Sequence, residues 1–350
     1  MRRPILVALA ALTAASIGAP SLAQPPPSTD TGPRKATSPS AAPARSDSSV
    51  RPDPSEPSAA ELTKLIKQLD SDRFVDRQRA TKRLQDLGDS AFDALIAASS
   101  DPSYEVRRRS AWILRDAQER IMRAAFTEFA RRPDEQLDVE HGMWLISRIV
   151  NPQSSRDSLT RQLDKLAKRV RERLGTDVDP RKAHPLVVVH AIRHVLFVEE
   201  KFIGNQADYT NPDNSSLERV LATRKGLPIV LSHIAIAVGE RLGVPLVGVP
   251  TPGRYLVRYE GRRAPPGQPE NDIYFDPFAG GTLLNLQQIG QQFPGFDPED
   301  AIEAPKPRMV LVRMLNNLES HLYHRGDHQR AELALSCKLL LQEGLPEKDR

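Results

Sequence analysis

The sequence predicts an α+β fold: a helix-rich domain with a small antiparallel sheet, preceded by paired helices and followed by one more helix pair. Three patterns predict it. Helical periodicity from Ala59 to about Arg123 repeats at an offset of 30 residues. Pro228–Leu242 reads as a helix of small and apolar residues, closed by Gly243-Val244-Pro245. Behind it come short strand-like runs, Leu246–Val249, Tyr255–Tyr259 and Ile273–Phe275.

Residues 1–23 have the grammar of an export signal. Arg2 and Arg3 precede an apolar stretch from Ile5 to Ala19, and Ser21-Leu22-Ala23 offers a small-x-small cleavage site. That stretch is shorter than the roughly 20 residues a spanning helix needs, and no cysteine follows it to carry a lipid. The expected location is therefore outside the cytoplasm, periplasmic or extracellular, with no membrane insertion after cleavage. Residues 24–57 hold nine prolines and no aromatic residue, a composition expected of a disordered linker. The net charge of +4 falls to +2 once Arg2 and Arg3 leave, which argues against a nucleic-acid partner. Cys337 is the single cysteine, so no internal disulfide supports the fold; it lies in an apolar helical run and reads as a core residue.

In the repeated segment, 58–120, Leu62 matches Phe92, Leu65 matches Leu95 and Ile66 matches Ile96; Phe74, Arg77, Arg79 and Leu84 match Tyr104, Arg107, Arg109 and Leu114. Each unit is a helix, a short acidic turn and a second helix. The segment resembles HEAT repeats over about two units. The run Arg107-Arg108-Arg109 reads as a solvated helix face more readily than as an anion site.

Helices are expected at Asp138–Ile149, Leu159–Leu174 and His184–Phe197, the last apolar over most of its surface. Gly261–Asn271 reads as a connection between strands. Arg308–Tyr323 and Asp327–Leu341 form a helix pair whose Tyr323, Gly326-Asp327 and Ala331 resemble one tetratricopeptide unit. A lone unit is expected to pack as a cap on the preceding domain. The expected divisions are 121–305 for the central domain and 306–350 for this pair.

Several further segments occur in order: Phe202-Ile203-Gly204-Asn205, Asp208–Pro212, Asn214–Leu217, Gly226–Ser232, Arg241–Pro245, Pro252–Val257 and Asp276–Gly281. Together they resemble the SirB family of transglutaminase-like proteins, from about residue 120 to the end. That resemblance implies a papain-like core. Active members of the superfamily place a cysteine at the start of a buried helix, a histidine on the next strand and an aspartate on the strand after. Mapped onto this chain, the cysteine position is Pro228, the histidine position is Arg254, and only Asp276 matches. An arginine cannot serve as a base near neutral pH, so Arg254 with Asp276 is either a structural clamp or an anion receptor.

Other chemistry is weaker. Ser232 and His233 are adjacent on a helix and point about 100° apart, which disfavours a nucleophile–base pair. His190 and His194 share a helix face at the spacing of zinc ligands but lack an intervening acid and an evident third ligand. The loop bearing Asn205, Asp208, Asn211, Asp213 and Asn214 has the composition of Asx turns, with Asn214 or Ser215 expected to cap the helix Leu217–Leu221. Candidate binding residues are Asn205, Asn214, Ser232, Arg254 and Asp276; no cofactor and no metal site are expected.

These readings favour a non-catalytic binding or scaffold module with a protein or peptide partner. The alternative is a hydrolase of different, possibly metal-assisted, chemistry in the same cleft. A third reading makes the helical repeats the binding element.

Overall fold

The computed structural model describes residues 57–343 apart from residues 176, 264–265, 268, 270 and 297–302. The export signal expected over 1–23 and the linker expected over 24–57, save Pro57, lie outside the described residues.

Two helix pairs come first: α1 (Ala59–Gln68) with α2 (Phe74–Leu87), then α3 (Phe92–Ala98) with α4 (Tyr104–Ala130). The thirty-residue repeat is visible in their bonding. Arg77 Nη1 donates to the Ser71 and Asp72 carbonyls at 2.5 and 3.1 Å, and Arg107 Nη1 donates to those of Asp101 and Pro102 at 2.7 and 2.8 Å. Each guanidinium also lies over the first aromatic residue of its own helix, Phe74 or Tyr104. Leu65, Leu69, Leu84, Leu95, Val106 and Ile113 fill a small core between the pairs. The basic run is largely committed within the protein, since Arg108 and Arg109 pair with Glu105 on their own helix.

α4 does not end where the repeat does. Its 27 residues cross the boundary expected at 120/121, because the apolar stripe continues: Val106 and Ile113 face the repeat core, while Met122, Phe126 and Phe129 enter the central one. One helix thus belongs to both layers.

The central core is organised by α9 (Pro228–Leu242), buried along nearly its whole length. α5 (Val139–Val150), α6 (Arg156–Leu174), α7 (Pro185–Arg193) and α8 (Leu217–Thr223) cover one side. The helix expected from His184 to Phe197 is divided: His184 is its cap, and after Arg193 the backbone widens into a π-helical turn, His194–Glu199. The side chain capping α8 is Ser216, one or two residues beyond the expected Asn214 or Ser215; those two instead end a 3-10 turn, Pro212–Ser215, capped by Asn211.

The other side of α9 meets an antiparallel sheet in the order β3 (Leu246–Thr251), β4 (Arg254–Tyr259), β5 (Ile273–Asp276) and β6 (Thr282–Leu284). Alternation sorts the faces. Tyr255, Val257, Tyr259 and Phe275 join the central core, whereas Val249, Leu256, Tyr274 and Leu284 pack under α10 (Leu286–Gln292). A two-residue parallel bridge, β1 (Ile203–Gly204) with β2 (Lys225–Gly226), was not anticipated, nor was β6; such short runs carry no alternation to read.

α11 (Pro307–His324) and α12 (His328–Glu343) close the fold against α4 and α5. Arg308, 2% exposed, fastens the closure. Its guanidinium donates to Asp134 Oδ1 at 2.6 Å and to the carbonyls of Arg132 at 2.7 Å, Ala130 at 3.2 Å and Leu341 at 3.2 Å. No helix among the described residues is long and apolar enough to cross a membrane.

Adjacent residues of α9 grip one residue of β4. Ser232 Oγ donates to the Tyr255 carbonyl at 2.7 Å, and His233 Nε2 lies 3.3 Å from the Tyr255 hydroxyl. A Cβ at Gly248 would fall 2.3 Å from the Tyr255 ring, so only glycine admits that ring against β3. Burial lowers the His233 pKa to about 4 and keeps the imidazole neutral.

Two outcomes follow for stability. Arg308→Ala leaves a partly buried carboxylate and three carbonyls without their donor and should cost about 3 kcal/mol, read from urea unfolding. For His233 the folded pKa lies below the unfolded value of about 6.5. As pH falls through that window the unfolded chain binds a proton that the folded chain refuses. Stability should therefore drop by roughly 3 kcal/mol on this account between pH 6.5 and 4. His233→Gln should remove that share of the slope, measured as the difference between the two pH–stability curves.

Candidate functional site

Leu227 precedes α9 with extended backbone and no side-chain cap, and Pro228 opens the first turn. The ring fixes a helical φ and lacks an N–H that would go unbonded there. Leu227 N–H donates to the Asn214 carbonyl at 3.1 Å, which stitches the polar loop onto the start of the helix.

The loop is bonded within itself. Asn205 Nδ2 donates to Asn214 Oδ1 at 2.9 Å, and Asn214 Nδ2 donates to the Asp208 and Tyr209 carbonyls at 2.7 and 3.1 Å. Asn205 Oδ1 accepts from Asp208 N–H, and Asn211 donates to the Asp208 carboxylate. Arg325, which follows α11, pairs with Asp208 as well. Of the two binding candidates on this loop, Asn214, 2% exposed, brackets the loop through these bonds, and Asn205 remains partly open. The candidate Ser232 is fully buried and donates to the Tyr255 carbonyl.

Arg254 and Asp276 do meet. Arg254 Nε lies 3.8 Å from Asp276 Oδ2, too long for a strong hydrogen bond, and the Arg254 side chain is 36% exposed. Its guanidinium sits over the Phe278 ring, 4.5 Å from the centroid. Asp276 is buried and acts on its own turn, where Oδ1 accepts from Phe278 N–H at 2.8 Å. Burial pushes the Asp276 carboxyl up from its ordinary value, against the lowering pull of the turn N–H groups and of Arg254.

Phe278 continues the arrangement. Tyr209 meets it edge-on at 5.9 Å, and His321 of α11 meets Tyr209 at 5.8 Å. Gly204 is required here, because a Cβ would fall 2.4 Å from the Phe278 ring. Arg313, two turns before His321, donates to the Thr251 and Arg254 carbonyls at 3.3 and 3.1 Å and lies over Tyr255. Sequence reasoning missed Tyr209, Phe278, Arg313 and His321. The spacing of Arg313, Asn317 and His321, four apart on one helix, was the available signal. Ser215 Oγ, Thr251 Oγ1 and His321 Nδ1 are buried and make no hydrogen bond among the described residues. A buried polar atom left so costs about 1–3 kcal/mol, which favours any group that can satisfy it. Burial, His324 and Arg325 lower the His321 pKa.

The remaining candidates do not converge. His190 is exposed, while His194 Nδ1 is 3.1 Å from Glu199, itself held by Arg169 and Arg173. Among the described residues no group of three His, Cys, Asp or Glu is placed to hold a metal ion. Cys337 is fully buried in α12, and burial pushes its thiol up to about 12, which disfavours a thiolate.

Residues 157–316 match the Transglutaminase-like superfamily. A UPF0162 protein of Xylella fastidiosa is 32% identical over 240 residues, covering 65% of this chain and 80% of that protein. A UPF0162 protein of Vibrio cholerae is 24% identical over 219 residues, or 61% of this chain and 76% of that one. F-box only protein 21 of Mus musculus is 32% identical over 147 residues, which are 42% of this chain and 23% of that longer one. No solved structure matches. With its α+β core, its transglutaminase-like match and relatives covered over most of their length, the chain belongs to the UPF0162 family of proteins with a transglutaminase-like domain.

Proposed function

We propose that the protein is an exported, non-catalytic transglutaminase-like module of the SirB type, with HEAT-like helices before its core and a tetratricopeptide-like pair after it. Its cleft at the start of α9 receives an acidic peptide segment, whose carboxylate binds Arg254.

The single observation behind this reading is the state of Arg254. It stands where the resemblance puts a histidine base, yet a guanidinium stays protonated near neutral pH and cannot accept a proton. Its contact with Asp276 is long, it is partly exposed, and its Nη2 makes no hydrogen bond among the described residues. A planar fork lying over Phe278 and partly exposed suits a carboxylate, which it can bind through two parallel N–H donors. Pro228 brings no nucleophile to the opposite position. The recurrence of the core as under a quarter of the much longer F-box only protein 21 also suits a portable binding module.

A fluorescent peptide ending in two glutamates should bind the purified protein saturably, and Arg254→Gln should weaken it about tenfold, the worth of a lost charge-assisted hydrogen bond. Arg254→Lys should recover only part of the affinity. Turnover of a glutamine peptide, with or without an amine acceptor, that vanishes in Asp276→Ala would overturn the non-catalytic reading.

A further inference from the structure

A cavity lies along the middle of α9, between that helix, β3, β4 and the first turns of α5 and α11. Its volume is about 180 Å³, and most of its wall is apolar, including Val139, Met143, Leu163, Ala237, Val247 and Val310. Close-packed interiors hold few voids larger than a water molecule. Apolar cavities of about 150 Å³ take a benzene-sized guest, whereas water gains little from such walls.

The polar groups are few and sorted. At the buried end stand His233 and Tyr255, 8% and 1% exposed, with Nε2 and the hydroxyl 3.3 Å apart. Whichever ring nitrogen carries the proton, the pair uses one donor and one acceptor between its two members. The tyrosine hydroxyl then retains either its hydrogen or a lone pair for a third group. At the outer end stand two carboxylates. That of Glu140 is taken by Arg241 at 2.8 and 3.0 Å and by Thr160 at 2.9 Å. That of Glu240 makes no hydrogen bond or ion pair among the described residues. Glu240 reaches solvent, yet the walls about its carboxyl, with Asp138 and Glu140 nearby, push its pKa up. Acidic groups at the entrance oppose an anionic guest.

We propose that this cavity is a binding site for a small uncharged molecule with a ring-sized apolar body and one hydroxyl. The body lies among the side chains of α5, α9, β3 and α11, and the hydroxyl bonds to the His233–Tyr255 pair. The site is separate from the Arg254 cleft and stands or falls without it.

Three probes of one shape test it on the full purified chain by calorimetric titration: p-cresol, toluene and 4-methylbenzoate. The expected result is saturable binding of p-cresol, about three- to tenfold weaker binding of toluene for want of the hydrogen bond, and no binding of 4-methylbenzoate. Tyr255→Phe combined with His233→Leu should equalise p-cresol and toluene while both still bind. Ala237→Leu should fill the space and abolish both, with the circular dichroism spectrum unchanged. Should Ala237→Leu fail to fold, Val310→Phe fills the cavity from the opposite wall. The proposal is overturned if p-cresol shows no saturable heat up to its solubility limit, if a folded filled variant binds it unchanged, or if 4-methylbenzoate binds as tightly.

Discussion

A helix that is apolar around its whole circumference has to be covered from every direction, and α9 imposes that demand on the rest of the chain. α6, α7 and α8 lie on it from one side and β3 and β4 from the other, while the turn Pro277–Ala279 sits against it as well. Each large aliphatic side chain buried this way contributes about 1.5–3 kcal/mol. No single layer can supply that cover, and this is why helices and sheet alternate around one axis. The polar side chains that α9 buries have partners: Ser232 and His233 both use Tyr255, and Arg241 at the far end bonds to Glu140 and Asp164, while Glu240 reaches solvent.

Such a helix leaves its start as the place where polar chemistry can reach the core. The protein surrounds that start with groups drawn from distant parts of the sequence. The loop through Asn214 accepts from Leu227, the strand β4 delivers Arg254, and α11 brings Arg313 and His321. The C-terminal helices therefore do more than cap. Arg308 fixes the N-terminal end of α11 to the carbonyls at the end of α4. Arg325 fixes the far end of α11 to Asp208. With both ends held, the face carrying Arg313 and His321 has a defined position against the Arg254 carbonyl and the Tyr209 ring.

Much of the fold was legible because its signals are periodic and local. The bounds of α9 follow from Pro228 at one end and Gly243 at the other, where φ is +70°. The thirty-residue offset between Arg77 and Arg107 corresponds to two arginines that make the same backbone bonds. The division expected at 120/121 falls inside α4, because a repeat can stop while its last helix runs on, and Met122, Phe126 and Phe129 continue the stripe at helical spacing into a different core. The candidate site was legible only in part. Pro228, Arg254 and Asp276 lie in a motif that reads along the chain. Tyr209 and His321 are 112 positions apart, and nothing local marks them as neighbours. Asn214 and Ser232 look equally suited to ligands in sequence; burial and saturated hydrogen bonds separate them from Arg254.

Asp276 has a structural reason to stand at the end of β5. Asp276 ends β5 and accepts from the N–H of Phe278, which holds the turn Pro277–Ala279 in place. That turn presents the Phe278 ring on which Arg254 lies, and the same ring receives Tyr209 and forces glycine at 204. The carboxylate thus supports the platform whether or not a base stands on β4. Geometry needed for catalysis and geometry needed for binding share this turn, and only the residues laid upon it decide which of the two the site performs.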